Sequence, residues 1–337
     1  MNLLASLKKR ISSVAEWLGV GKSNGEPLAP SVPRTDLEEP APPATPNLPI
    51  STTVEPPVTA TVDLPIAKGP IIDTEVDPAT LAAMLKHVEA CWQRLGETAP
   101  HWSVLTAPRF KPDRIAETAD EFYGSGAADV DRLPRAADRC GIALPVQGTC
   151  FELGCGVGRL TLWLAKSFRL VIGADISLSH LALAKETVRA ADCQNVELRH
   201  VDRLGALDEL PAFECFYSAI VLQHNPPPVI RWLLMTILPK LSVGGLGFFQ
   251  LLTVLPDYAF DAAAYVANPP THGEMEMHAL PHEVVLATIR DAGCELLEAR
   301  EFDAVGIPGA MSMDFFVRKL AAPAKVPSVA WEPAKAN

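Results

Sequence analysis

One short stretch carries most of the chemistry that can be read from this chain. Glu152-Leu153-Gly154-Cys155-Gly156-Val157-Gly158-Arg159 sets a carboxylate ahead of three glycines at alternate positions. An apolar run leads into it and the amphipathic Leu160-Thr161 segment follows, so a strand feeds a glycine turn that opens a helix. Glycines there let a ligand approach the backbone without meeting a Cβ. The spacing is selective. A dinucleotide fingerprint needs glycine at 159 and finds Arg159, and no Gly-Lys-Ser/Thr follows to make a phosphate loop. Glu152 would repel a pyrophosphate but suits a ligand bearing an ammonium or sulfonium group. Asp175 closes the next apolar run, where a carboxylate can accept both hydroxyls of a ribose. Asp202, after His200-Val201, is placed to accept from an adenine amine.

A second set of polar residues lies further along. His224, in Leu222-Gln223-His224-Asn225, is the first candidate for a general base, because imidazole titrates near neutrality. His272, Glu276, His278 and His282 fall in or beside a long connection, about Val254 to Leu280, and such connections usually carry function. Glu276 or His278 is the alternative base. The spacing of these four permits a metal site, but no second close pair of ligands accompanies them, and no metal is assigned.

The elements that must position these groups follow from periodicity. Asp77-Pro78 is a helix cap, and Leu81, Met84, Leu85, Val88 and Trp92 keep helical period after it. A second helical stretch, Ala116 to Arg139, is interrupted at Gly124-Ser125-Gly126. Apolar runs at 149–153, 169–174, 196–201, 213–219 and 246–253 then alternate with helical stretches at 157–166, 178–191 and 226–241. A helix at 281–292 precedes two last strands, about 295–302 and 312–318. Gly244-Gly245 reads as a turn ahead of the fifth strand. Alternation of this kind predicts an α/β fold with a mostly parallel sheet covered on both faces. The connection Asp303 to Met311 is too short for a helical crossover, so the last two strands should be antiparallel.

Glu152-x-Gly154-x-Gly156-x-Gly158, Asp175 and Asp202, in this order on successive strands, resemble the class I S-adenosylmethionine-dependent methyltransferases over about residues 120–320. The resemblance implies a Rossmann-like, seven-stranded sheet with the last strand inserted antiparallel. It implies S-adenosylmethionine (SAM) as cofactor, with Glu152, Gly154, Gly156 and Gly158 facing its methionine part. Asp175 would hold the ribose, Ile176 would pack on adenine and Asp202 would meet the adenine amine. Tyr123, in Phe122-Tyr123-Gly124-Ser125-Gly126, would fold over the cofactor from the cap, and Ser218 would close the site at the end of the fourth strand. Asn225-Pro226-Pro227 invites comparison with the NPPY motif of adenine and glutamine N-methyltransferases. It comes too late after the fourth strand, however, and Pro228 replaces the aromatic residue. The expected acceptor is a hydroxyl or carboxyl of a small molecule or a glycan precursor. The competing readings are a SAM-binding scaffold without catalysis and an NAD-dependent oxidoreductase, the latter opposed by Arg159.

Composition bounds the partners. Of 337 residues, 48% are apolar, and 29 Lys+Arg against 40 Asp+Glu leave a net charge of −11. That balance repels phosphate backbones, and the densest basic cluster is only Lys8-Lys9-Arg10, so no nucleic-acid partner is expected. The 7 cysteines form no CxxC pair, which points to a reduced, cytoplasmic protein. No apolar run is long enough to span a bilayer, and the N-terminus lacks a signal-peptide pattern. Leu3, Leu4, Leu7, Ile11, Val14 and Leu18 form an amphipathic stripe that would bury against the protein's own body, a partner protein or a membrane surface. The expected organisation is an amphipathic helix (1–20), a Pro-rich linker (21–72), a helical cap (73–147), the methyltransferase core (148–320) and a loose tail (321–337).

Overall fold

The computed structural model describes residues 71–302 and 305–321. The N-terminal amphipathic segment, nearly all of the Pro-rich stretch and the tail beyond 321 lie outside the described residues.

The described chain begins as an extended strap along residue 260. The Phe260 N–H donates to Ile71 O at 3.1 Å and the Asp73 N–H donates to Phe260 O at 2.9 Å. Helix α1 (Pro78–Thr98) starts where the sequence predicts, with the Asp77 carboxylate accepting from the Ala79 and Thr80 amides at 2.9 and 3.1 Å. An acidic cap followed by proline satisfies amides that a helix start leaves orphaned. Helix α2 (Pro100–Val104) follows. The second helical stretch is three short helices, α3 (Ile115–Gly124), α4 (Gly126–Val130) and α5 (Arg132–Arg139). The break at Gly126 has a steric reason: a Cβ there would lie 2.5 Å from the Arg159 carbonyl and 2.8 Å from the Trp163 ring.

The sheet contains β1 (Thr149–Leu153), β2 (Leu170–Asp175), β3 (Val196–His200), β4 (Phe213–Ser218), β5 (Leu241–Val254), β6 (Cys294–Glu301) and β7 (Met311–Lys319). Their spatial order is β3-β2-β1-β4-β5-β7-β6. The first five run parallel, and β7 pairs antiparallel with both β5 and β6. β1 is buried along its whole length, as a central strand covered on both faces must be. The chain moves outward from β1 to β3 and then restarts at β4 on the other side. A crevice opens at that switch, beyond the carboxyl ends of β1 and β4.

Helices α6 (Thr161–Ser167), α7 (Leu178–Ala190), α8 (Pro227–Ile237), α9 (Ala262–Ala267) and α10 (His282–Asp291) complete the fold. One core cluster stacks Phe151, Phe213, Phe216, Phe249 and Phe315 under α8 and α10. A second packs Tyr217, Phe248 and Phe316 with Leu133, Leu160 and Leu164. Two elements differ from expectation. α6 begins at Thr161 rather than 157, because Gly154, Gly156 and Gly158 hold φ of +74°, +53° and +87° and the loop must unwind before a helix can start. Gly244-Gly245 is an irregularity inside β5, where the pairing with β4 jumps from Leu241 to Leu246, and not a turn ahead of it.

Candidate active site

A cleft of about 900 Å³, counting its open mouth, sits at the switch point. The glycine loop forms its floor through Gly154, Cys155 and Gly156. Gly154 is indispensable there, since a Cβ would stand 2.3 Å from Val221 Cγ2. Asp175 lies beside the loop, with Oδ2 accepting from the Gly156 amide at 2.8 Å and Oδ1 from the Ser177 amide at 2.9 Å. Each oxygen keeps a second lone pair for a hydroxyl donor. Ile176 and Val201 add apolar surface next to it.

The segment after β4 is the opposite wall. Ala219, Ile220, Val221 and Asn225 line it, and Ile220 holds φ +58°. A β-branched residue in that region is strained by about 1–3 kcal/mol, and such strain clusters at functional sites. The Ile220 amide, donating to Gln250 Oε1 at 2.7 Å, holds it there. Helix α1 roofs the cleft with Leu85, Val88 and Trp92.

The acceptor-side candidates His224, Glu276 and His278 converge behind Trp92 and do not line the cleft. His224 is buried, its ring edge-on to Trp92 at 5.4 Å, and its Nδ1–H donates to the Glu276 carbonyl at 2.8 Å. That bond sets the tautomer, with the lone pair on Nε2. Burial pushes its pKa down to about 4, so the ring is neutral at physiological pH. The Glu276 carboxylate accepts from His278 Nε2 at 3.1 Å, His87 Nε2 at 2.9 Å and the Tyr265 hydroxyl at 3.2 Å. Burial raises its pKa, but these donors outweigh burial and hold it below the usual range. His278 is clamped on its other nitrogen by the Tyr258 hydroxyl at 2.7 Å.

Several residues expected to touch a cofactor lie elsewhere. Glu152 is behind the loop, 1% exposed, with Oε2 accepting from the Thr161 hydroxyl at 2.6 Å and Oε1 unpartnered. Burial lifts its pKa to about 7. Tyr123 is buried under α7, its hydroxyl bonded to Thr187 at 3.0 Å and His101 at 3.2 Å. Ser218 is fully buried and donates to Leu153 O at 3.2 Å, lacing β4 to β1. Gly158 packs toward Thr187 and does not line the cleft, and Asp202 is exposed, paired with Arg203 at 2.8 Å. Val201 reaches the cleft in its place.

The cleft also holds groups that sequence reasoning missed. Arg159 lines it while bonded to Asp129 at 2.7 Å and Ser125 at 3.1 Å, with Nε unpartnered. Its position directly after the glycines was the available signal. His180 lines the cleft too, bonded to the Ser103 hydroxyl at 2.9 Å. Trp92 could only be read as a periodic apolar residue of α1.

Residues 151–245, from β1 to the irregularity in β5, match the family model described as a methyltransferase domain. Over this stretch the chain carries a methyltransferase domain, a kind of domain that uses S-adenosylmethionine. The tRNA/tmRNA (uracil-C(5))-methyltransferase of Pseudoalteromonas atlantica is 40% identical over 52 residues, 15% of this chain. That match spans only 14% of the relative's own length. Among solved structures, the magnesium protoporphyrin IX methyltransferase of Synechocystis PCC 6803 with bound SAM is 16% identical, with 73% of this chain and 99% of that chain covered at TM-score 0.47. The N-methyltransferase NodS of Bradyrhizobium japonicum, in complex with S-adenosyl-L-homocysteine, is 13% identical, with 69% of this chain and 98% of that chain covered at TM-score 0.46. Among the described residues no helix is long and apolar enough to cross a membrane.

The cleft fits the cofactor. Asp175 offers free lone pairs beside a glycine floor, Ile176 and Val201 supply an apolar flank, and the unpartnered Arg159 Nε is a donor for a carboxylate. Buried and unpartnered, Glu152 Oε1 behind the loop gains from a nearby cation.

Proposed function

We propose that this protein transfers the methyl group of SAM to a carboxylate or an acidic hydroxyl of a small molecule, a glycan precursor included. When bound, the cofactor supplies a sulfonium-activated methyl. On this reading the chain's own residues bind, align and exclude water. Asp175 accepts the ribose hydroxyls, Ile176 and Val201 flank the adenine, and Arg159 meets the methionine carboxylate. Trp92 and Leu85 close the roof over the acceptor. Holding two reactants in line supplies up to ~7–11 kcal/mol of a displacement barrier.

The observation that carries the reading is the Asp175 carboxylate, held by two loop amides on the floor of a cleft at the topological switch point. The preference for an acidic acceptor rests on His224. His224 is neutral, with a pKa of about 4, and stands behind Trp92 and not on the cleft wall, so it is a poor base for the acceptor. Glu276 and His278 are tied to one another and serve to position His224. An acceptor that is already ionised needs no base. A nucleic-acid acceptor is disfavoured by the net charge of −11.

Calorimetric titration with SAM, S-adenosylhomocysteine and NAD, repeated on Asp175→Ala, tests the cofactor. Release of S-adenosylhomocysteine with a panel of carboxylic acids, phenols and alkyl alcohols tests the acceptor. The reading expects turnover with the first two groups. Binding of NAD without SAM, or turnover confined to alkyl alcohols, would refute it.

A further inference from the structure

Behind the cleft, on the side of α1 turned away from the glycine loop, three different metal-ligating side chains meet. His87 and Cys91 stand one helical turn apart on the same face of α1, and Glu276 arrives from the β5–α10 connection. His87 Nε2 is 2.9 Å from Glu276 Oε1 and 3.4 Å from Cys91 Sγ, and the three ligating atoms all lie within 4.8 Å of one another. We propose that His87, Cys91 and Glu276 bind a zinc-class divalent cation, with the fourth position open toward His272.

The geometry needs little adjustment. Tetrahedral zinc with bonds of ~2.05 Å to nitrogen and oxygen and ~2.3 Å to sulfur sets N···O near ~3.3 Å and N···S near ~3.6 Å. The observed separations are a few tenths of an ångström shorter, as hydrogen-bonded ligands without an ion between them should be. The donor set is selective. Thiolate, imidazole and carboxylate suit zinc and its borderline neighbours, whereas magnesium and calcium demand oxygens throughout.

Glu276 has partners of the kind that support a metal ligand, while His87 Nδ1 is buried without one. The Gly273 N–H is directed at the Cys91 sulfur, the Tyr265 hydroxyl donates to Glu276 Oε1 and His278 donates to Oε2. Partners of this kind orient ligands and tune their basicity. The His87 ring contacts Tyr265 edge-on at 5.5 Å and lies 5.1 Å from the His272 ring. A thiolate and a carboxylate would neutralise the ion, replacing a cluster in which one half-buried carboxylate oxygen is shared by two donors.

Such a site has a structural consequence for the cleft. It would pin the connection around 272–278 to α1 one residue away from Trp92, and the Glu276 carbonyl holds His224. The ion would therefore bear on the cleft through Trp92 and leave the glycine loop alone.

Cobalt(II) titration of the metal-stripped full chain tests this. The expected result is one intense near-ultraviolet thiolate-to-cobalt band, tetrahedral visible bands, and displacement by zinc. Cys91→Ser should lose the thiolate band and weaken cobalt binding more than about a hundredfold, beyond what loss of a supporting partner costs. SAM titration of the same variant controls for folding, with affinity within about twofold of wild type expected because the two sites share no ligand. No thiolate band in the wild-type chain overturns the site, and so does an undiminished band in Cys91→Ser. Should the variant fail to fold, the wild-type spectrum decides alone.

Discussion

The floor of the cleft and the polar cluster behind Trp92 are built in opposite ways. At the glycine loop, consecutive residues do nearly everything: Gly154, Gly156 and Arg159 shape or line the floor, and Asp175 on the neighbouring strand locks to the Gly156 amide. In the cluster behind Trp92 no two neighbouring residues suffice. Trp92 comes from α1, His224 from the turn after β4, and Glu276 and His278 from the connection after β5. The first is held by backbone geometry, the second by a network of side chains. A backbone site can be recognised locally and tolerates little change. A side-chain network can be rebuilt around a different acceptor while the cofactor end stays the same.

That contrast can be broken at its strongest point first. Gly154→Ala puts a methyl 2.3 Å from Val221 at φ +74°, and overpacking plus left-handed strain should cost about 2–5 kcal/mol in chemical denaturation. Next comes Glu152. Its pKa, raised to about 7 from 4.5, means the protonated form is favoured in the folded protein. The stability this contributes is present below about 4.5 and lost as pH rises through about 7, on the order of 3 kcal/mol in all. Denaturation followed across this window should show the loss, and Glu152→Gln should flatten it. Binding of the cationic cofactor should release a proton near neutrality, visible as a buffer-dependent heat.

Asp175→Ala should weaken SAM by about tenfold to a hundredfold, since a charge-assisted hydrogen bond is worth ~1.5–3 kcal/mol. His224→Ala should lower turnover by about tenfold and leave SAM affinity nearly unchanged, less than the ~10²–10⁴ of a well-matched base. The wild-type rate should be flat above about pH 5 where His224 is already neutral. Asp202→Asn should change SAM affinity least, within about twofold, because the exposed side chain is screened by solvent and by Arg203. A larger loss would move the adenine pocket outward along β3.

Some of these features were legible in the chain. The strand-turn-helix of 149–167, the Asp175 terminus and the antiparallel final pair follow from apolar runs, glycines and loop length, all local quantities. The roles of Tyr123, Ser218 and Glu152 were not legible. Leu153 and Ala219, next to Glu152 and Ser218, line the cleft, but burial against Thr187, Leu153 and Thr161 turns Tyr123, Ser218 and Glu152 into the core. Arg159 was read only as a missing glycine. Its placement depends on Asp129 and Ser125, which come from a different helix and a break between helices.

By itself the sequence determined the glycine loop after β1, the carboxylate that ends β2 and the succession of strands and helices along the chain, because backbone conformation and alternating hydrophobicity are written in adjacent residues. Tertiary structure alone decided which polar side chains meet. His87 and Cys91 look like ordinary positions of an amphipathic helix until the connection after β5 folds back and brings Glu276 against them. Contacts of that kind depend on chain closure over long separations, and no local pattern encodes them.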